Sequence, residues 1–124
     1  MGAAPDRDGP AGPVMEQPPH TPEALRAALV RLAPELLPTF DAERADALEA
    51  ARSEVSAAPM RRLVGQWSLR VAIERFPHRA ARLRELETRA AEVEDPAEAG
   101  AITREIGEIL DAARQQAGLE GHAA

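Results

Sequence analysis

Between Pro59 and Phe76 the large apolar residues recur at helical spacing on two nearly opposite faces. Met60, Leu63, Val64, Trp67 and Val71 make one stripe; Leu69, Ile73 and Phe76 make the other. A helix that is apolar on both sides is the central element of a bundle or serves two interfaces. In a small bundle, the first stripe would meet the N-terminal helices and the second the C-terminal ones. The segment holds the only tryptophan of a chain whose aromatic content is 2%. The remaining core must be Leu, Ile, Val and many alanines, and such a core is thin. A chain of 124 residues has room for one domain. At that size it buries roughly 65% of its unfolded surface, so an interface with a partner or a second copy would add stability.

Prolines divide the rest. Residues 1–20, with Pro5, Pro10, Pro13, Pro18, Pro19 and three glycines, predict a disordered tail. Order is expected to begin at Thr21-Pro22-Glu23, where Thr21 can cap, Pro22 suits the first helical position and Glu23 favours the positive end of the helix. Leu25, Leu29 and Leu32 carry that helix to about Ala33, and a turn follows at 35–37. A second helix is predicted from Thr39, as cap, to about Ala57, with the stripe Phe40, Ala47, Leu48, Ala51 and Val55. Arg44 falls inside this stripe, about 40° from Phe40. Either its stem packs while its head reaches water, or it makes a buried salt bridge or a contact with a partner carboxylate. The third helix is the two-faced one. Gly65 costs about 1 kcal/mol relative to Ala there and is expected to permit close helix packing.

Pro77 restarts the chain for a fourth helix with the stripe Ala80, Leu83, Leu86, Ala90 and Val93. Asp95-Pro96-Ala97-Glu98 has the form of a capping box and opens a fifth, with Ile102, Ile106, Ile109, Leu110 and Ala113 on one face and an end near Gly118. No stretch alternates with period two, so no strands are predicted. The expectation is an all-α fold: a small bundle of four to five helices over 21–118, behind the disordered Pro/Gly-rich tail, with a disordered C-terminus at 119–124.

Charge is uneven. The net charge is −6, yet residues 58–84 carry +6 and 85–124 carry −7. All fifteen basic residues are arginine. The basic middle can pair with the acidic second and fifth helices, dock an acidic groove of a protein partner, or bind nucleic acid through Arg61, Arg62, Arg70, Arg75, Arg79, Arg82 and Arg84. The arginines of the third helix spread around it rather than lining one face, and no helix-turn-helix spacing appears. Asp41/Arg44, Glu49/Arg52 and Arg104/Glu108 stand at helical spacing and read as solvated pairs.

Chemistry finds little support. His20, His78 and His122 are isolated, and none belongs to an i, i+4 pair that would put two metal ligands on one face. Ser53, Ser56 and Ser68 lack the Gly-x-Ser-x-Gly setting. The glycines fit no phosphate cradle. Without cysteine there is no disulfide or thiolate chemistry. Met1–Pro19 has no apolar core of a signal peptide, and no apolar run approaches the ~20 residues of a membrane span. The expectations are a cytoplasmic protein, no enzyme, no cofactor and no metal.

The succession Thr21–Leu29, then Pro38-Thr39-Phe40 with Glu43 and Ala47-Leu48, then Ala58-Pro59-Met60 with Leu63 and Trp67, resembles a family of short helical actinobacterial proteins of unknown function. The likeness covers about residues 21–94, and its motifs are hydrophobic and structural. It implies no activity. It does suggest an antitoxin-like protein that binds a toxin of the RelE/ParE kind, although an ordinary antitoxin's DNA-binding segment is missing. The expected function is a non-enzymatic protein-interaction module. It would dock a partner, or a second copy, through Leu69, Ile73 and Phe76 with the flanking Arg70 and Arg75, since apolar anchors beside arginine are typical of hot spots. Nucleic-acid binding through 61–84 is the alternative.

Overall fold

The computed structural model describes residues 12–119. It contains five α-helices: α1 (Pro22–Leu32), α2 (Leu37–Glu54), α3 (Ala58–Glu74), α4 (Pro77–Glu92) and α5 (Pro96–Gln116), with a 3-10 turn at Pro34–Leu36 before α2. No strand occurs among the described residues. The all-α class follows from the sequence as expected. The parts of the expected tails at 1–11 and 120–124 lie outside the described residues.

Helix ends fall where local chemistry places them. Thr21 accepts a hydrogen bond from the Ala24 amide, and Asp95 accepts one from the Glu98 amide. Thr39, expected as the cap of α2, is instead inside it. The helix begins at Leu37 with Pro38 in its first turn and has no side-chain cap. The preceding 3-10 turn already directs the chain into the helix, so no capping hydroxyl is needed.

The described chain divides into two compact units, one of residues 17–71 and one of 12–16 with 72–119. In the first, Leu25, Ala28, Leu29, Ala33, Phe40, Leu63, Trp67 and Val71 are buried. Phe40 and Trp67 meet edge to face with ring centroids 5.2 Å apart, an arrangement the ring quadrupoles favour. The Trp67 indole donates to Glu43 at 2.8 Å, which gives its one polar atom a charged acceptor. In the second, Ile73, Ala80, Leu83, Leu86, Ile102, Ala113 and Ala117 are buried. Each Leu or Ile in these cores contributes about 1.5–3 kcal/mol.

Two expectations change. Residues 12–20 are not wholly a tail. The Val14 amide donates to the Arg75 carbonyl, Arg75 Nη1 donates to the Met15 carbonyl, Gln17 donates to the Ser68 carbonyl, and Pro18 is buried. Proline richness signalled an absence of helix, but an extended segment can still be tied down by its backbone carbonyls. Gly65 does not mark a close approach either, because a Cβ built there would meet nothing within 4 Å.

Candidate interaction faces

The residues expected to dock a partner do not lie on one open face. Arg70 is exposed, and Leu69 and Phe76 are half-buried. Ile73 is 5% exposed and Arg75 is 9% exposed. For Arg75 the reason is the segment before α1: the residue is engaged with Met15 and Val14, so its guanidinium belongs to the interior of its own unit. Helical angle alone placed Ile73 on an outer stripe, and it could not show that the stripe would be covered.

Around Phe76 the second unit builds a cationic cluster. The Arg75 guanidinium carbon lies 4.8 Å from the Phe76 ring centroid, and that of Arg79 lies 4.0 Å from it. Arg79 donates to the Ala72 carbonyl and to the Gln116 side chain. Burial holds both guanidinia below the usual arginine range, and the Arg75 charge depresses Arg79 further. Glu16 acts in the opposite direction on Arg75 without forming an ion pair.

Other arginines are matched to carboxylates. Arg82 grips Glu105 of α5 through two bonds of 2.7 and 2.8 Å and also reaches Glu85 at 3.0 Å. Arg89 pairs with Glu98 at 3.2 Å. Hydrogen bonds from Arg82 hold the Glu105 carboxyl below its ordinary range. The basic stretch is thus paired with the fifth helix through Arg82, whereas Arg61, Arg62 and Arg84 are exposed and make no ion pair among the described residues. In the first unit, Asp41 pairs with Arg26 at 2.9 Å rather than with Arg44 as its spacing suggested. Arg44 instead meets Glu23 at 2.7 Å, and the pair is exposed rather than a buried salt bridge. Glu49/Arg52 pair as expected, and Arg104 and Glu108 do not.

Open apolar surface lies on α2, along the stripe its spacing predicts, and also at Val14 and Val30. The pairs Arg26–Asp41 and Glu23–Arg44 show α1 running antiparallel to α2, so the start of α1 reaches only to about Arg44. Beyond that point α1 no longer covers α2. Of its eighteen residues only Phe40 is buried. Ala47, Ala50 and Ala51 are half-buried, Leu48 is 43% exposed and Val55 is 90% exposed. On the side toward α3 a shallow open groove of about 310 Å³ is lined by Ala47, Ala50, Pro59 and Leu63, with Glu43 and Asp46 on one rim and Arg62 and Gln66 on the other.

Val55 closes α2 with φ 50° and ψ 54°. Its amide bonds back to Arg52, and the Ser56 amide bonds to Ala51. This is the pattern with which α5 ends at Gly118, whose φ is 77°, a Schellman closure. Glycine takes that conformation freely, but an L-residue pays roughly 1–2 kcal/mol for it. A β-branched residue there is a genuine outlier.

Among the described residues no group of three or more His, Cys, Asp and Glu could hold a metal, and no helix is long and apolar enough to cross a membrane. A family model described as "Family of unknown function (DUF6247)" matches residues 13–117. No curated protein and no solved structure matches the chain.

Proposed function

We propose that this chain, which belongs to the DUF6247 family of unknown function, is a non-enzymatic protein-interaction module that docks a partner through the exposed face of α2 that carries Leu48 and Val55. The observation that carries the reading is the uncovered C-terminal half of α2, with Leu48 and Val55 in solvent. Leu48 and Val55, seven residues apart, share one side of α2 and suit the apolar face of a partner helix; the groove lined by Ala47, Ala50 and Leu63 opens on another side of the helix. Val55 supports the same reading, because strained conformations persist where function rather than stability selects the residue.

This moves the expected docking face from α3 to α2, since Ile73 and Arg75 are interior. An antitoxin-like role, with a toxin of the RelE/ParE kind as the partner, is the special form the sequence resemblance suggests; co-expression that relieves growth arrest by such a toxin would support it. The general reading is tested by photo-crosslinking in cells. A crosslinker at position 48 should capture a discrete protein, while one at exposed position 84 should not. Equal capture at both positions, or none at 48, would refute it.

A further inference from the structure

We infer that residues 12–17 are a releasable strap on the turn between α3 and α4, latched by the Val14 amide on the Arg75 carbonyl, and that its opening lets water reach the Arg75 guanidinium. The inference is independent of the α2 reading.

Three observations converge. First, the segment is held by few contacts. Within the second unit the Val14 amide donates to the Arg75 carbonyl at 2.8 Å, and Arg75 Nη1 donates to the Met15 carbonyl at 3.0 Å. Within the first, Gln17 Nε2 donates to the Ser68 carbonyl at 3.0 Å. No residue of 12–17 is buried, and Val14 is 52% exposed. Apolar burial therefore adds little to these polar contacts.

Second, each side-chain attachment is only half satisfied. Gln17 Nε2 makes its bond, but Oε1 on the same carbon is buried without a partner. Arg75 Nη1 makes its bond, but Nε on the same carbon is buried without an acceptor. An orphaned buried atom costs more than a typical bond returns. These two attachments are thus neutral or unfavourable, and opening hands the orphaned atoms to water.

Third, Arg75 itself resists closure. It is 9% exposed and makes no ion pair among the described residues. Withdrawing a guanidinium from water on those terms is costly, and burial holds its ionisation below the usual arginine range. Glu16, exposed on the strap, offsets part of this through its charge. The Val14 bond is left as the attachment with no unpaired atom behind it, which makes it the latch. Pro13 and Pro18 restrict the released segment, so that it recloses readily. Open, the strap returns Arg75 to solvent beside the half-buried Phe76 ring, 4.8 Å from the guanidinium.

Native-state hydrogen exchange on the full chain, followed by NMR at rising but non-denaturing urea, tests the device. The probes are the Val14 amide and the Arg75 Nε–H; the amides of the buried Leu29 and Leu86 are the references. Both probes should exchange through one opening, at least about a hundredfold more often than the references and without their dependence on urea. Val14→Pro removes the latch donor. It should speed Arg75 Nε–H exchange at least about threefold, the loss of one net hydrogen bond, with the references unchanged. Gln17→Met keeps the length of the side chain and removes the donor together with the orphaned oxygen, so exchange at both probes should stay equal or slow. Exchange of the probes only together with the references would make the segment part of the core and overturn the inference. Fast Val14 exchange with Arg75 Nε–H protected like the references would show a frayed end, and would overturn it as well. So would an unchanged Arg75 signal in Val14→Pro or faster exchange in Gln17→Met.

Discussion

At the residue scale, two positions work against stability and so can be tested by removing them. Val55 occupies a left-handed closure that Gly118 fills without strain at the end of α5. Val55→Gly should raise the unfolding free energy by about 1 kcal/mol in a denaturant titration, because relief of the backbone strain outweighs the added chain entropy of glycine. If Val55 is an anchor, the same variant should bind a partner less well. Ser68 is fully buried and its hydroxyl has no acceptor. Ser68→Ala removes an unmet polar group at little change of volume, so thermal unfolding should show it neutral or stabilising. By contrast, Trp67→Phe leaves Glu43 without its donor and should cost roughly 1.5–3 kcal/mol, the range for a hydrogen bond to a charged group. None of the three environments could be read from sequence. A valine at a helix end carries no turn signal, and the burial of Ser68 and the partner of Glu43 depend on how the helices pack.

At the element scale the sequence was most legible. Thr21, Pro77 and Asp95 act through their nearest neighbours, and the helices start beside them as expected. What lay beyond local chemistry was coverage. The α2 stripe looked like core because its spacing is helical, yet α1 is too short to cover its second half. Gly65 is likewise free of neighbours. Gly65→Ala should therefore stabilise α3 by about 0.5–1 kcal/mol, since it lowers chain entropy without a clash; a loss of stability on chemical denaturation would show that the position is crowded. Between α4 and α5 the Arg82–Glu105 pair holds the Glu105 carboxyl low. A carboxyl lowered on folding contributes stability above its unfolded value of about 4.3, and that contribution is lost as pH falls through the lower folded value. Glu105→Gln should thus flatten the acid limb of stability measured against pH. An unchanged limb would mean that solvent screens the pair completely.

For the whole molecule, the all-α class and the run of elements were legible, and the intended site was not. Leu69, Arg70, Ile73, Arg75 and Phe76 were chosen because their spacing left a second stripe on α3. Residues 12–16 return to Arg75, a contact across some sixty positions of sequence that no local pattern announces, and Ile73 is buried beside it. The charge division was partly legible: the basic stretch meets the acidic fifth helix through Arg82, while Arg75 and Arg79 form no ion pair among the described residues. Exposed Leu48 and Val55, together on one side of α2, then call for a reason.

Affinity capture from nuclease-treated lysate of the source organism, run in parallel with the wild-type chain and Leu48→Asp, tests the docking claim most directly. Leu48 is 43% exposed, so the substitution should leave the helical circular dichroism intact. The account predicts a stoichiometric protein that the wild type retains through moderate salt and the variant does not. Retention of the same protein by Leu48→Asp would contradict it. So would a wild-type capture consisting only of nucleic acid released by a modest rise in salt, which would return the function to the arginine-rich stretch.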